Sequence, residues 1–154
     1  MTDLNKKLII EQLDRKFQKL SVLSDLEIPP KGWINAVRTA LNMSLVQLAK
    51  RLKKTSVSVK EIEQREEEKG ITLKKLTEVA EALNCRFVYG FIPKEGSLDK
   101  TIEKRALEVA ADIVMRTSHT MKLEDQENSP ERLQKAVKER AEKIKNEMPK
   151  YLWD

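Results

Sequence analysis

The chain has 154 residues, 36% of them charged and 40% hydrophobic, with only 4 Gly and 5 Pro and a net charge of +5. That balance suits a largely helical protein built as one domain or as a small core with helical extensions, and no apolar run approaches the roughly 18 residues needed to cross a bilayer. The start, Met1 to Ile10, lacks the apolar stretch of a secretory leader, and the single Cys85 leaves no internal disulfide or cysteine-rich zinc site, so the expected compartment is the cytoplasm.

Asp3 to Leu20 reads as an amphipathic helix, with Ile10, Leu13, Phe17 and Leu20 at helical spacing and Thr2 or Asp3 to cap it. Pro29-Pro30 breaks the chain and Gly32 follows, which sets the clearest boundary in the first half. Four short helical patterns come next. The first carries Ile34, Val37 and Leu41, and Trp33 beside Ile34 is expected in the core. The second carries Leu45, Leu48, Ala49 and Leu52, a full i, i+3, i+4, i+7 stripe, with Ser44 placed to cap it. The third opens at Thr55 or Ser56 and buries Val59 and Ile62; the fourth, opened by Thr72, carries Leu76, Val79, Ala80 and Leu83. So few residues separate the second and third that their axes must turn sharply.

Arg86 to Ile92 is too short for a helix and rich in aromatic and β-branched residues, so it reads as one strand. A lone strand needs a partner, and none is evident elsewhere in the chain. Two readings stay open: pairing with a second copy, or an extended segment packed on the helices. Cys85, just before it, is expected to be a buried small hydrophobe. Beyond Gly96 a helical stripe of Ile102, Ala106, Val109, Ala110 and Ile113 runs to about Met121. Ser129-Pro130-Glu131 starts the last helix, whose apolar side is Leu133, Val137, Ile144 and Met148. The expected fold is mainly all-α with one short β-strand. Its expected parts are an N-terminal helical arm over 1–30, a domain with the terminal strand over 31–93, and a C-terminal helical extension over 94–154.

Charge is distributed unevenly. From Lys31 to Lys60 there are seven basic residues and no acidic one, whereas Glu61 to Glu68 is dominated by acids. A positive segment of that kind attracts polyanions. It coincides with the two closest helices, Met43 to Leu52 and Thr55 to Glu63. Two short helices joined by a tight turn can set the second into a major groove. Ala49 is small where they must approach, Val59 and Ile62 anchor the second, and Ser56, Val57, Ser58, Lys60 and Glu61 are left toward one exposed side.

These residues resemble the phage-repressor (Cro/C1, or XRE-like) helix-turn-helix family over about Trp33 to Leu83, through Leu48-Ala49, Thr55, Val59, Ile62 and Glu63. The family usually has Gly in the turn, where this chain has Lys53; a left-handed backbone there costs lysine about 1 kcal/mol. The resemblance implies a five-helix-type repressor-like core that binds double-stranded DNA. By position it implies that Ser56, Val57, Lys60 and Glu61 face base edges, with Ser58 beside them. Lysine donates to guanine, glutamate accepts from cytosine, and valine touches a thymine methyl. Ser44, Gln47, Lys53, Lys54, Thr55 and Arg65 would hold phosphates. Arg38 and Glu63 match positions that form a buried structural ion pair.

A second resemblance spans nearly the whole chain. Gly32-Trp33-Ile34, Cys85-Arg86-Phe87-Val88-Tyr89, Ile92-Pro93, His119 to Gln126 and Leu152-Trp153-Asp154 are similar to the bacterial mobile mystery protein A family. Members are typically encoded beside a Fic-domain protein, which implies an antitoxin-like or autoregulatory role with a Fic-domain partner. His119 and Glu124 have no second His or Cys nearby, so packing or interface roles are expected for them rather than catalysis or metal binding. Trp153 is left with two readings, capping an apolar surface or inserting into a partner. No enzyme, metal or cofactor is expected. The expected function is an autoregulatory, dimeric repressor, because one recognition helix covers few base pairs. The strand near Phe87 and the C-terminal helices are the candidate dimer surfaces, and restraint of a Fic-domain toxin is the alternative task.

Overall fold

Short polar side chains start most of the helices in this chain, because the first N–H groups of a helix have no partner within it. In the computed structural model, which describes residues 2–123 and 129–154 with the backbone alone for 121–123, Thr2 caps α1 (Asp3–Leu20). Ser44 caps α3 (Leu45–Leu52), Thr55 caps α4 (Ser56–Glu67) and Thr72 caps α5 (Leu73–Ala82). Ser129 caps α7 (Pro130–Glu147), with Pro130 in its first turn. The hydroxyl of Ser97 accepts from the Lys100 N–H at the start of α6 (Leu98–Leu123). Short 3-10 turns follow α1 at Ser21–Leu23 and close the chain at Lys150–Trp153.

Helix α2 (Gly32–Ala40) is the exception, for Lys31 before it supplies no side-chain cap. The carboxylate of Glu66, reaching over from α4, takes the Trp33 N–H at 3.1 Å and the Ile34 N–H at 2.8 Å instead. Gly32 makes this possible. Its φ is +87°, and a Cβ there would lie 2.5 Å from the Glu66 carboxylate oxygen.

The helix ends share one device despite the shortage of glycine. Asn42, Lys53, Lys69 and Asn84 all take left-handed φ values after α2, α3, α4 and α5. Each turn is closed by a bond from the next N–H to the carbonyl five residues back: Met43 to Arg38, Lys54 to Ala49, Gly70 to Arg65 and Cys85 to Ala80, at 2.8 to 3.0 Å. This is the Schellman pattern with asparagine or lysine in glycine's place.

The chain divides into two compact units, residues 25–90 and residues 2–24 together with 91–154. The first holds α2 to α5 around Ile34, Leu48, Ala49, Val59, Ile62, Val79 and Leu83. It has four helices rather than the expected five. After Asn84 turns the chain, the residues up to Gly90 are extended, and the strand expected over Arg86–Ile92 is not formed: there is no β-ladder among the described residues. The aromatic and β-branched content of the segment does give extended backbone, but a ladder needs a neighbouring backbone to bond to. Two side chains expected inside this unit also lie outside. Trp33 is 44% exposed, since Ile34 takes the inward place at the start of α2. Cys85 is exposed as well, because the turn at Asn84 carries it off the core.

In the second unit α6 and α7 pack along a seam of Ile102, Ala106, Ala110, Ala141 and Ile144, closed by Leu152. Alanines one turn apart on α6 allow close helix approach. Lys145, late in α7, bonds Asp99, early in α6, at 3.3 Å, so the two helices run in opposite directions. Helix α1 is tied to this pair by Asp14, whose carboxylate accepts from the Leu98 and Asp99 N–H groups at 2.7 and 3.2 Å. Arg105 clamps the closing turn, donating to the carbonyls of Leu152 at 2.6 Å and Asp154 at 2.7 Å. His119 is exposed on α6, and Glu124–Gln126 lie outside the described residues.

Candidate nucleic-acid interface

Helix α4 is held from one side only. Val59 and Ile62 are buried in the core of its unit, and Leu48 and Ala49 of α3 meet them there. Between the two helices Lys53 takes φ 55° and ψ 43°, the left-handed turn that its place between the helical stripes demands. Thr55 then opens α4 by accepting from the Ser58 N–H at 3.1 Å.

The orientation of α4 is fixed further by a polar network. Arg38 Nε lies 2.5 Å from Glu63 Oε1, its Nη2 lies 3.2 Å from Oε2, and its Nη1 donates to the Met43 carbonyl at 2.8 Å. Asn35 adds a bond to Glu63 at 3.0 Å. Both charged side chains are close to nine-tenths buried, so α2 and α4 are joined by a pair that water hardly reaches. With Glu63 and Glu66 facing inward beside Val59 and Ile62, the opposite side of α4 presents Val57, Lys60, Glu61 and Gln64 to solvent. Val57 is 66% exposed, a cost in apolar surface that no packing within the unit offsets. Ser56 and Ser58 sit on the flanks of this face and are half-buried.

Gln64 was not among the residues picked out from the sequence. Its position one turn beyond Lys60 and Glu61, and two turns beyond Val57, is the signal that would have found it. It now donates to Glu68 at 3.0 Å.

The basic side chains around this helix fall in two places. Lys50, Lys53 and Lys54 are exposed at the end of α3 and in the turn, together with Arg51, which braces the last carbonyls of α5 through Ala82 at 3.3 Å. Ser44 and Gln47 form a reciprocal capping box at the start of α3, which leaves the amide NH2 of Gln47 with no described partner. The second place is the start of α5. Here Lys75 lies beside Lys54, which it holds below the usual lysine value of 10.5 by hydrogen bonding and like charge. Glu78 draws Lys75 the other way: their contact at 3.0 Å raises the Lys75 ammonium and lowers the Glu78 carboxyl. Arg65 is close enough to oppose the charge on Lys75.

Sequence reasoning passed over Lys74 and Lys75. Cations in the first turn of a helix run against the helix dipole, which is a readable sign that an anion belongs nearby. The arrangement as a whole is an outward helix with a lysine, a glutamate, a glutamine and an apolar tip, flanked by exposed ammonium groups. Those are groups that read base edges and hold phosphates.

Residues 34–89 match the helix-turn-helix family model. These residues form a helix-turn-helix domain. No curated protein and no solved structure matches the chain. In general terms the domain makes this a DNA-binding regulator, with α3 and α4 as the two helices of the motif. The match covers less than half of the chain and stops short of α6 and α7. Among the described residues no helix is long and apolar enough to cross a membrane, and no group of three or more His, Cys, Asp or Glu side chains is placed to hold a metal ion.

Proposed function

We propose that the protein is a sequence-specific, autoregulatory transcriptional repressor that reads an operator through α4, as two copies on two half-sites, in the cytoplasm and without enzymatic activity. The observation that carries this reading is the one-sided burial of α4. Val59, Ile62 and the Arg38–Glu63 pair secure one side, while Val57, Lys60, Glu61 and Gln64 are exposed on the other. In this reading Lys60 donates to guanine, Glu61 accepts from a cytosine amine and Val57 meets a thymine methyl. The half-buried Ser56 and Ser58 contact bases only where the groove closes over the flanks of the helix. Ser44, Gln47, Lys53, Lys54, Thr55 and Arg65 bind phosphates, and Lys75 joins them.

The test is a binding assay on DNA from upstream of the gene, titrated with salt. The double variant Lys60→Ala, Glu61→Ala is expected to keep its fold and its salt dependence while losing preference for the operator over random duplex, a change of about 30- to 20,000-fold for two base contacts at about 1–3 kcal/mol each. Unchanged preference in that variant rejects α4 as the reader.

A second reading is favoured by one observation in the other unit. Leu4 of α1 is largely exposed, as is Val22 in the turn that follows, and Leu8 stands half exposed beside them. Membership of the mobile mystery protein A family would make these a surface for a Fic-domain partner, with the chain acting as an antitoxin. Co-purification with the product of the neighbouring gene tests it, and Leu4→Glu with Leu8→Glu should abolish the association.

A further inference from the structure

The segment Cys85–Gly90 has the geometry of a sheet edge with nothing bonded to it. Cys85 closes the turn after α5 through its N–H, but no backbone group of 86–90 is hydrogen-bonded among the described residues. Val88 is 62% and Tyr89 71% exposed. Phe87 and Tyr89 lie on one face of the extended chain, with ring centroids 5.8 Å apart and planes 14° from parallel. Beside the segment runs an apolar groove of about 290 Å³, whose lining includes Trp33, Val37, Leu76, Phe87 and Val88. An extended backbone, an apolar groove and a half-exposed tryptophan thus lie together on one unit.

We infer that this edge pairs with the same edge of a second copy, as an antiparallel ribbon whose two-fold axis passes through Val88. The sequence of the edge selects the occupant and the register. With Val88 opposite its own counterpart, Phe87 faces the second copy's Tyr89, and Arg86 faces its Gly90. Aromatic side chains therefore meet aromatic ones across the ribbon, and the one charge in the segment meets a residue without a side chain. Facing aromatic pairs stabilise a ribbon, and like charges opposite one another destabilise it. Shifting the centre to Phe87 would set Arg86 against Val88 and Tyr89 against Cys85, leaving one aromatic pair where the Val88 centre gives two. Two-fold pairing is also the arrangement in which one patch serves both copies, and it satisfies the unbonded N–H and C=O groups of the edge. The second copy's side chains would then cover the groove at Trp33. The pairing extends the DNA-reading proposal by naming what brings two recognition helices together, though nothing in its geometry depends on DNA.

The test is sedimentation equilibrium of the full chain without DNA, together with cysteine trapping. The chain is expected to sediment at twice the mass of one copy. Val88→Pro, which removes an N–H at the axis, is expected to sediment at the mass of one copy with its helical circular dichroism unchanged. In a Cys85→Ser background, Val88→Cys should link two copies under mild oxidation, since directly opposed residues bring their Cβ atoms to about 4.5–5.5 Å. Val22→Cys in the same background, at an exposed site in the other unit, should not. A single copy at every concentration, or a dimer that survives Val88→Pro and is not trapped through Val88→Cys, overturns the pairing. Because no DNA is present, a failure to bind the operator leaves this result standing, and a chain that binds a half-site as a single copy sinks the ribbon and the two-copy arrangement while leaving α4 as the reader.

Discussion

Gly32 and Glu66 show how much one backbone angle can govern. The start of α2 is closed by a side chain from α4, and that side chain fits only because residue 32 has no Cβ and a φ of +87°. Gly32→Ala meets both obstacles at once. The left-handed backbone costs alanine about 1–2 kcal/mol, and displacing Glu66 forfeits a cap of about 1 kcal/mol. Urea denaturation of Gly32→Ala should therefore show a loss of about 2–3 kcal/mol. Glu66→Ala, with the glycine intact, should lose only the smaller share. Equal losses in the two variants would show that the backbone at 32 carries no strain.

Arg38 and Glu63 raise a different issue at the same scale. The pair is nearly dry, and Asn35 and the Met43 carbonyl take up its remaining bonds. Such a pair adds little net stability, yet it is costly to halve, because the abandoned charge stays buried. Arg38→Ala is expected to destabilise by about 3–5 kcal/mol, whereas Arg38→Met with Glu63→Leu should recover most of that loss. If the double variant is as unstable as the single one, the network stabilises by its bonding and not by its completeness.

At the scale of elements, what the sequence makes legible is whatever depends on near neighbours. The Thr2, Ser44, Thr72 and Ser129 caps and the inward stripes of α3 and α4 follow from spacing alone, because capping and helical periodicity are local. Features that depend on distant contacts are not legible in this way. Glu66 looks like one more acid in a run of glutamates, and only the fold brings it to the end of α2. Trp33 reads as core by its neighbour Ile34, but the direction of the first turn gives the inward place to Ile34. The extended segment at Phe87 is visible in its aromatic and β-branched residues, while its missing ladder is a fact about partners that no single strand can disclose.

The start of α5 makes a prediction of its own. Lys75 holds Lys54 below the ordinary lysine value, and Glu78 competes for Lys75. A phosphate set between the two ammonium groups favours the charged form of Lys54, so its pKa is higher in the complex than in the free protein. A group of that kind takes up a proton on binding. Its share of the affinity is complete at neutral pH and is lost as pH rises through the lowered value toward 10.5. The advantage of the natural chain over Lys54→Ala in binding DNA should therefore shrink as the buffer is taken from about pH 7 to about pH 10. Glu78→Gln should bind more tightly at low salt by freeing Lys75, and each phosphate-binding lysine lost should reduce the salt slope by about 0.9. A pH-independent advantage for Lys54 would place the phosphate elsewhere.

At the scale of the whole molecule the described residues form two cores, one for each unit, and none of them is shared between the two. The domain that matches the helix-turn-helix family draws on the first, and α6, α7 and the closing turn draw on the second. Burial in each is concentrated on a few side chains, with Leu48 fully enclosed in one and Ile144 in the other. Truncating either leaves a cavity that its own neighbours must line, at about 2–5 kcal/mol. Native-state amide exchange separates the consequences, because exchange reports the opening of contiguous cooperative units. Leu48→Ala should speed exchange through α2 to α5 while the amides of α6 and α7 hold their protection, and Ile144→Ala should do the reverse. Loss of protection throughout the chain in both variants would mean that the two cores melt as one, and operator binding would then depend on the packing of α6 against α7 as much as on α4.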